Sequence, residues 1–540
     1  MVRTCFPLAF SFLLLSLAGC GCQTGYTTPD GGDGPGNDWH YHLAFGPDFL
    51  GYDHVLGAWD DTLDRVLYFA RGPDQYYDLY ITNFAKTQTI CVTCDKPFLP
   101  NRHMGTPSFL PGGEFILFTA EREVHEGGYC HEPWCGSYAA LPGYGAYNDV
   151  WLIRSDGTQA WQLTHHSAAD VTAIILPAAS SDGTRLVWSK HLDGLNPFAT
   201  DWRFWGRWPL ETAELAWTGG SFGVGTPTVA NVRTYEPRLG LNEANSFTLD
   251  NERFFFTSSN PAAPLDTQLF SVDFATLTDL RQLTDNGEFN EHPNLMPNGE
   301  QVLFMSGRQS SNDSEIWIMN TDGSHQQRLS YLNEPWHPAW NGGPKLTGGT
   351  LAAASDTGYP ARVMNLQLAG PLEYRALIKS GVITRRPAAR GTGLKGEYYA
   401  DGNFGTLALT RVDPQLNFYW KDGVAGRDAP SPSPGIVPAD GFSVRWSGYI
   451  EAFSDSGGTY SFRCVYDDQC RVWVDGQQII NAWLFWPGVV DGTVTLAPGS
   501  RHALRVEVIE GAGDAQLRLA WKGPDFDWEV VPASQLFPAP

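Results

Sequence analysis

Basic side chains are scarce in this 540-residue chain: Lys and Arg number 36 against 59 Asp and Glu, and the formal net charge is -23. A surface that binds nucleic acid needs basic side chains to neutralise phosphates, so the composition argues against a nucleic-acid partner. The excess of carboxylates fits cation binding, or solubility alone. The sequence also lacks a Gly-rich phosphate-binding loop and any arrangement of Ser, His and Asp that indicates a hydrolase.

Long amphipathic helical patterns are also few, whereas turn formers are abundant, with 58 Gly and 37 Pro. Aromatic residues make up 13% of the chain. This combination is typical of an all-β protein built from short strands and many turns. A chain of 540 residues is too long for one hydrophobic core, so we expect two or more domains.

The first apolar run, residues 6–17, is too short to cross a membrane as a helix. With Arg3 before it and small residues after it, residues 1–19 are predicted to be a secretory signal peptide. Its end, "LAGC", resembles the lipobox of bacterial lipoproteins. That resemblance implies cleavage before Cys20 and attachment of lipid to it. The alternative is an ordinary signal peptide with an unrelated cysteine.

No aspartate follows Cys20, so an exported lipoprotein is expected in the outer membrane, on its periplasmic face or at the cell surface. Residues 20–39 are rich in Gly, Pro, Asp and Thr and predict a flexible tether. The lipid on Cys20 would then be the membrane anchor of the chain.

Cysteine is sparse, with nine residues in the whole chain. An exported protein meets an oxidising compartment, so disulfides are expected among the cysteines that follow the tether. Their pairing cannot be deduced from the sequence, and the spacing of the first four also fits a zinc site, which stays the alternative. The candidates for disulfides are Cys91, Cys94, Cys130, Cys135, Cys464 and Cys470.

A pattern repeats between residues 40 and 345. Its first part is a turn rich in Gly, Asn or Asp, then a short apolar run and a Ser or Thr, as in "SDGTRLVWS". A strand, a turn and another strand follow, as in "IWIMNTDGSHQQRLS", where Asp-Gly between apolar strands is a strong hairpin signal. A unit of about four short strands cannot bury its faces alone, so we expect the repeats to pack radially as a propeller.

These two phrases also resemble the repeats of TolB-type propellers. The resemblance implies a β-propeller over residues 40–370, with a sixth blade that begins near Trp336 and is completed by residues 40–56. It implies a fold and not a particular chemistry, because propellers host many functions. The other five blades are expected to begin near Gly57, His103, Ala173, Asn245 and His292.

Histidines precede several of the predicted first strands, where they would face the central channel of this fold. In related propellers, the oligogalacturonate lyases, histidines in such a place hold a divalent metal, so the resemblance implies an alternative site for Mn²⁺ or Zn²⁺. Its candidate ligands are His103, His292 and His337. The favoured interpretation is that these histidines make local hydrogen bonds and that the channel mouth binds a peptide or glycan.

A locally basic stretch, residues 371–392, interrupts the repeats and is predicted to be a linker. After it, apolar residues alternate along each run, for example at Phe442, Val444 and Trp446. A period of two indicates half-buried strands. Residues 393–540 are therefore expected to form a second β domain.

Two carboxylates, Asp467 and Asp468, stand side by side in "CVYDDQCRVWVDG", between Cys464 and Cys470. Because the pair lies between two strand-like runs, we expect a hairpin tip that the two cysteines bridge if their faces match. Adjacent like charges repel, so the tip is either solvated or the site of a cation.

Ordered motifs on both sides of this pair, "GEYY", "VRWSGY", "VWVDG" and "VEVIEGAGDAQLRLAW", resemble the protective-antigen N-terminal (14-kDa) domain of bacterial glycosidases, toxins and fungal adhesins. The resemblance implies an antiparallel β-sandwich. In the adhesin branch two neighbouring aspartates bind Ca²⁺, which coordinates sugar hydroxyls; the matching positions here are Asp467 and Asp468. This chain departs from the family after the pair, where Gln469 stands in place of the common Gly.

Asn481 and Trp483 complete the candidate carbohydrate-binding residues, and Ca²⁺ is the candidate cofactor. The alternative is that the two aspartates cap a turn and bind nothing. The sequence thus predicts an all-β protein with an N-terminal propeller of about six blades and a C-terminal antiparallel β-sandwich.

The favoured function is that of a non-catalytic, surface-anchored binding protein for carbohydrate or cell-envelope partners. No catalytic residues are assigned. The alternatives are a metal-dependent carbohydrate-active enzyme with a sugar-targeting domain, and a protein-interaction scaffold of an envelope complex.

Overall fold

The computed structural model describes residues 39–50, 54–60, 63–123, 140–170, 172–192, 206–260, 262–308, 315–332, 334, 336–337, 345–346, 352–354, 361–369, 376–420, 430–453, 455–484 and 486–540. The predicted signal peptide, Cys20, most of the tether, Cys130 and Cys135 lie outside these residues. Contacts divide the described chain into two units. The first contains residues between 46 and 324 and between 342 and 381; the second contains 39–45, residues between 325 and 337, and residues from 382 onward.

Strands make up nearly all of the regular structure, and the described residues contain no α-helix, only short 3₁₀ turns such as Pro111–Gly113 and Ala533–Gln535. No described helix has the length and apolar character needed to cross a membrane. The all-β fold class predicted from the composition is therefore confirmed.

Five four-stranded sheets of consecutive strands follow the first strand of the chain, β1 (Trp39–Leu50). Every sheet places its strands in chain order, as the repeated pattern predicts. The sheets contain β2 (His54–Asp60), β3 (Arg65–Arg71), β4 (Tyr77–Thr82) and β5 (Thr89–Cys91); β6 (Met104–Phe109), β7 (Phe115–Glu121), β8 (Asn148–Arg154) and β9 (Ala160–Gln162); β10 (Ala173–Ala179), β11 (Arg185–His191), β12 (Leu210–Trp217) and β13 (Pro227–Tyr235); β14 (Asn242–Phe247), β15 (Arg253–Asn260), β16 (Ala263–Asp273) and β17 (Arg281–Gln282); and β18 (Asn290–Leu295), β19 (Gln301–Ser306), β20 (Glu315–Asn320) and β21 (Gln327–Arg328).

A sixth sheet contains β22 (Lys345–Leu346), β23 (Ala352–Ala354), β24 (Ala361–Ala369) and β25 (Ala376–Pro387), with β1 paired to β25. The first strand of each of the first five sheets contacts the next sheet, and β23 contacts both β18 and β2. The six sheets therefore close a ring, which is a six-bladed propeller. The sixth sheet begins at Lys345 and not near Trp336, which lies in the second unit against Tyr331.

A recurrent hydrogen bond explains why several repeats end in Leu-Thr or a similar pair. In the second blade, Thr164 Oγ1 accepts the backbone N–H of Val150 at 2.9 Å and donates to Asp149 Oδ1 at 2.7 Å. Thr93 makes the same two bonds in the first blade, and Thr284 accepts a backbone N–H in the fourth. The hydroxyl thus fixes the last strand of a blade to the third.

The second unit contains two antiparallel sheets that pack face to face. The larger has the strand order β27-β26-β29-β34-β31-β32, with β37 beside β29; the smaller has the order β28-β35-β30-β33, with β36 beside β35. Their strands are β26 (Leu394–Tyr399), β27 (Leu407–Asp413), β28 (Asn417–Trp420), β29 (Ser443–Glu451), β30 (Gly458–Asp467), β31 (Gln469–Val474), β32 (Gln477–Ala482), β33 (Gly488–Leu496), β34 (Arg501–Ile509), β35 (Ala515–Lys522), β36 (Glu529–Val530) and β37 (Leu536–Pro538).

The core between these sheets follows the period of two. Phe442, Val444 and Trp446 are fully buried, as the alternation predicts, and they face inward residues of the smaller sheet such as Phe462 and Trp521. An antiparallel β-sandwich with both inner faces apolar is the result.

The predicted hairpin at Asp467 and Asp468 is wrong, because β30 and β31 belong to different sheets. The two aspartates lie where the chain crosses from one sheet of the sandwich to the other. Cys464 and Cys470 lie at bonding distance, with Sγ atoms 2.13 Å apart, and both are fully buried in the core. The two cysteines therefore join the two sheets and do not bridge a hairpin. Cys91 and Cys94 are also at bonding distance, 1.89 Å.

The predicted linker, residues 371–392, is largely strand β25. Its basic residues suggested exposure to solvent, yet they find partners within the second unit. Arg385 lies over the ring of Trp39, 4.3 Å from its centroid, and the buried Arg386 donates through Nε to Asp455 at 2.8 Å. Composition alone does not separate a basic linker from a strand whose basic side chains are paired.

We expect Thr164→Val to lower the free energy of unfolding by about 1–3 kcal/mol, because it removes a donor from the buried carboxylate of Asp149 and an acceptor from a buried backbone N–H. Urea unfolding measures the change. Thr228→Val is the matched control, since Thr228 is exposed and should change stability by less than about 0.5 kcal/mol. Equal effects of the two substitutions would contradict this role of the repeated threonine.

Candidate cation site

Three segments of the second unit meet around the aspartate pair. The backbone N–H of Gly511 donates to Asp468 Oδ2 at 2.8 Å, and that of Gly513 donates to Asp440 Oδ1 at 2.9 Å. The loop after β34 is thereby held between the 467–468 crossover and the residues that precede β29. The two side chains in these contacts, Asp468 and Asp440, are both acidic.

Glu510 is the member of this cluster whose carboxylate is buried without hydrogen bonds from the described part of the chain. It is 0% exposed, and neither carboxylate oxygen has a hydrogen-bond partner among the described residues. Burial, together with the charges of Asp468, Asp467, Asp440 and Asp514, raises the pKa of Glu510 to about 8. A buried carboxylate without donors or a counter-charge is costly, so this position calls for a proton or a cation.

Asp467 is another member of the cluster and is likewise affected by burial and by neighbouring carboxylates. Burial, a hydrogen bond with Asp468 and the charges of Asp468 and Asp514 raise the pKa of Asp467 to about 6. The peptide bond between Asp467 and Asp468 is cis. Asp514 accepts a hydrogen bond from Tyr419 Oη at 3.0 Å. The cluster thus combines one fully buried and several partly accessible carboxylates.

Oxygen is the only kind of ligand atom that this cluster offers, and hard cations such as Ca²⁺ prefer such ligands. Its carboxylates are not gathered as closely as those of the metal-type groups elsewhere in the described chain, whose ligand atoms lie within 4.8 Å of one another. Asp491 lies on β33 and accepts two hydrogen bonds of 2.7 Å from Arg463. Asp491 is therefore a poor candidate ligand.

The two other predicted carbohydrate-binding residues lie on and after β32. Asn481 is exposed and pairs in register with Arg471, and the Arg471 guanidinium lies 3.4 Å from the ring centroid of Trp483. Gln469 Nε2 donates to the carbonyl of Trp483 at 3.3 Å. The loop that begins at Trp483 is therefore tied to the residue that follows the aspartate pair.

Sequence reasoning did not select Glu510, although the sequence contained a signal for it. In β34, Leu504, Val506 and Val508 are buried, and the same period of two continues to Glu510. An acidic residue in phase with inward-facing apolar residues is expected to be buried. Such a position indicates a candidate site, because carboxylates are rarely buried without partners.

The candidate histidines of the propeller lie in different surroundings. His103 is buried, and its Nδ1 accepts the backbone N–H of Tyr77 at 3.3 Å; burial, with Arg71 and Arg102, lowers the pKa of His103 to about 3. His337 belongs to the second unit, where its Nε2 lies 3.6 Å from Asp527 Oδ2. A metal site formed by His103, His292 and His337 together stays a prediction.

His292 instead joins two carboxylates from adjacent inner strands. Its ring nitrogens lie 3.7 Å from Glu243 Oε2 on β14 and 3.7 Å from Glu291 Oε2 on β18, and all three residues are buried. Burial, together with the charge of Glu243, raises the pKa of Glu291 to about 8 against the opposing effect of His292. Glu243, Glu291 and His292 are all residue types that bind metals. Of the three histidines predicted as metal ligands, only His292 belongs to this group.

Comparison with known proteins assigns the C-terminal part of the chain. Residues 391–535 match the family model of the PA14 domain. The C-terminal unit is thus similar to PA14 domains. The anti-sigma-I factor RsgI3 of Acetivibrio thermocellus is 31% identical over 151 residues, which are 28% of this chain and 22% of that protein. The chain thus spans about a fifth of the length of this curated relative.

Two solved structures resemble the two parts of the chain. The PA14 sugar-binding domain from an RTX adhesin is 21% identical, with a TM-score of 0.24, over 28% of this chain and 100% of that one. TolB from Acinetobacter baumannii is 14% identical, with a TM-score of 0.34, over 63% of this chain and 65% of that one.

The raised pKa values of Glu510 and Asp467 predict how stability depends on pH in the absence of calcium. A folded-state pKa above the unfolded value means that the native state binds more protons, so the stabilising contribution is complete at low pH and is lost as pH rises. For Glu510 the loss runs from about pH 4.5 to about pH 8, with a slope of up to about 1.4 kcal/mol per pH unit. Glu510→Gln removes this loss, because its amide does not titrate.

Urea unfolding of the parent and Glu510→Gln in a calcium chelator, at several pH values from 5 to 8, measures the difference in slope. Glu451→Gln is the control, since Glu451 is paired with Arg501 at 2.7 Å outside the cluster. Parallel pH profiles for the parent and Glu510→Gln would contradict the buried, unpartnered state of this carboxylate.

Proposed function

We propose that this chain is a non-catalytic, surface-anchored carbohydrate-binding protein, and that its PA14 domain binds sugar through a Ca²⁺ ion held by the acidic cluster. The observation that carries the proposal is Glu510, whose two buried oxygens have no hydrogen-bond partner among the described residues and whose neighbours are aspartates. A divalent cation would turn the mutual repulsion of these carboxylates into attraction.

The cluster offers the ligand type and the flexibility that Ca²⁺ requires. Ca²⁺ takes about six to eight oxygen ligands, including carboxylates, backbone carbonyls and waters. Asp467 and Asp468 would supply two of them, Glu510 a third, and the loop that follows Glu510 carries backbone carbonyls and Asp514. Partial exposure of Asp467 and Asp468 leaves one side of the ion open for the hydroxyl groups of a sugar.

An exposed apolar loop beside the cluster offers a surface for the sugar ring. Leu484 and Trp486 are 77% and 75% exposed, and they follow Trp483, whose carbonyl is bonded by Gln469. Large exposed apolar side chains often mark a binding surface, and aromatic faces suit the apolar face of a sugar. The loop would supply stacking, and the cation would supply coordination of hydroxyls.

The anchoring part of the proposal rests on the sequence. A lipid on Cys20 would place the tether and the two β units at a membrane surface, with carbohydrate or cell-envelope components within reach. A second candidate function, a metal-dependent carbohydrate-active enzyme, is favoured by one observation, the buried group of Glu243, Glu291 and His292. That group lies in the propeller and makes no use of the PA14 domain.

Calcium titration calorimetry of the chain from residue 21 tests the cation. We expect one site with an affinity between about micromolar and millimolar, because the carboxylates are numerous but loosely gathered. Asp467→Asn combined with Asp468→Asn should abolish the binding heat. Asp491→Asn is the control, since Asp491 is held by Arg463 and should not contribute. A parent without binding heat would overturn the calcium proposal, and the crossover would then be structural.

Carbohydrate binding is tested separately on a glycan array, with calcium and with a chelator. We expect Trp486→Ala to lower the affinity for a bound glycan by about 1–2 kcal/mol, about the value of one lost aromatic contact. Its calcium affinity should not change. Leu239→Ala is the control, because Leu239 is 62% exposed in the propeller unit. Glycan binding that persists in the chelator, or that survives Trp486→Ala, would contradict this arrangement.

A further inference from the structure

A second cluster of ligand-type side chains lies in the second unit and plays no part in the proposed sugar site. His40 and His42 are two residues apart on β1, so their side chains lie on one face of the strand. Both are buried, and they face Glu529 of β36, which is also buried. The ligand atoms of the three residues all lie within 4.8 Å of one another.

The spacing of these atoms matches a tetrahedral metal site. His40 Nε2 lies 3.2 Å and His42 Nδ1 lies 3.4 Å from Glu529 Oε2. Zinc binds imidazole nitrogen and carboxylate oxygen at about 2.0–2.2 Å, which places neighbouring ligands of a tetrahedron about 3.4 Å apart. These separations therefore leave room for an ion bonded to all three groups.

His42 is the observation that points to a ligand. Its Nδ1 faces Glu529 Oε2 at 3.4 Å without good hydrogen-bond geometry, and its Nε2 has no hydrogen-bond partner among the described residues, although the ring is 2% exposed. Its neighbours are aromatic, with the rings of Phe453 and Phe526 at 4.4 and 4.5 Å.

An outer contact holds Glu529 in place. Trp521 Nε1 donates to Glu529 Oε1 at 2.9 Å, which leaves Oε2 directed to the histidines. Partners of this kind orient metal ligands in known sites. Gln327 Nε2 lies 3.2 Å from His40 Nε2, the ligand atom itself, so this amide would have to move away when a metal binds. The positive charge of Arg386 would repel a metal ion at this site. Arg386 forms ion pairs with Asp455 and Asp525, which offset its charge.

We propose that His40, His42 and Glu529 form a structural site for a divalent transition metal of the zinc type. Two nitrogens and one oxygen are a ligand set for Zn²⁺ or Co²⁺ and are unlike the all-oxygen set expected for Ca²⁺. The ion would tie β1 to the end of the sandwich, across 489 residues of sequence. Its function would be to fix the N-terminal strand within the second unit and not to act on a substrate.

Co²⁺ titration of the untagged chain from residue 21, after treatment with a chelator, tests this site. We expect one equivalent that shows the visible absorption of four-coordinate Co²⁺ and that Zn²⁺ displaces. His42→Phe should weaken this binding by at least about 100-fold, more than the loss of an outer-shell partner costs. Phe is suited to the aromatic surroundings of His42, so the substitution should not empty the core.

Two further variants keep the outcome decisive. Glu529→Gln retains an acceptor for Trp521 and removes the anionic ligand, so it should lose the same equivalent even if His42→Phe fails to fold. His502→Gln, which alters a histidine bonded to Asp475, should leave it unchanged. Zn²⁺ should raise the unfolding midpoint of the parent but not of the first two variants. A parent without the Co²⁺ spectrum, or a spectrum that survives both substitutions, would overturn the proposal and leave a hydrogen-bonded histidine–glutamate cluster.

Discussion

Every sheet of this protein has to cover an apolar face, and the alternation of side chains along each strand decides how. A four-stranded repeat exposes both of its faces, so six such sheets pack radially, and the ring closes when β23 contacts both the fifth sheet and the first. In the second unit two sheets cover each other. The same alternation also fixes the direction of every polar side chain on these strands. Some polar side chains therefore point into the core, although their burial is unfavourable.

Buried carboxylates in the second unit show how unusual the acidic cluster is. Glu507 is buried but receives hydrogen bonds from Arg445 and Arg471 at 2.8 and 2.7 Å. Asp413 receives bonds from Tyr398 and Trp446 at 2.6 and 2.7 Å. Glu510 lies only three residues beyond Glu507, and it is the one described carboxylate whose two oxygens are both buried without a hydrogen-bond partner. Because the fold satisfies the neighbouring acids, poor packing is an insufficient explanation for Glu510; a proton accommodates this carboxyl, as its raised pKa allows, and so would the cation that we propose.

Much of the fold followed from the sequence, because the repeated turns and the period of two are local patterns. The all-β class, the radial packing of the repeats and the burial of Phe442, Val444 and Trp446 were accessible in this way. The number of blades and the sandwich were expectations that came from the resemblance to known families. Pairing between distant segments was not accessible from local patterns. The crossover at Asp467 and Asp468 resembles a hairpin in sequence, and only the three-dimensional pairing shows that β30 and β31 lie in different sheets. Likewise, strand β25 resembled a linker because the partners of Arg386 lie 69 and 139 residues away.

The two candidate metal sites of the second unit are separated by their chemistry. The cluster around Glu510 offers oxygen alone and is partly accessible through Asp467 and Asp468, which suits a hard ion that keeps open positions for other oxygen ligands. The group of His40, His42 and Glu529 offers two nitrogens and one oxygen and is buried throughout, which suits a borderline ion held in the interior by three protein ligands. An ion bound at the first can exchange ligands with a sugar, whereas an ion at the second can only hold strands together. One domain can therefore use calcium for recognition and a transition metal for its own integrity, because the ligand atoms at each position select between the two.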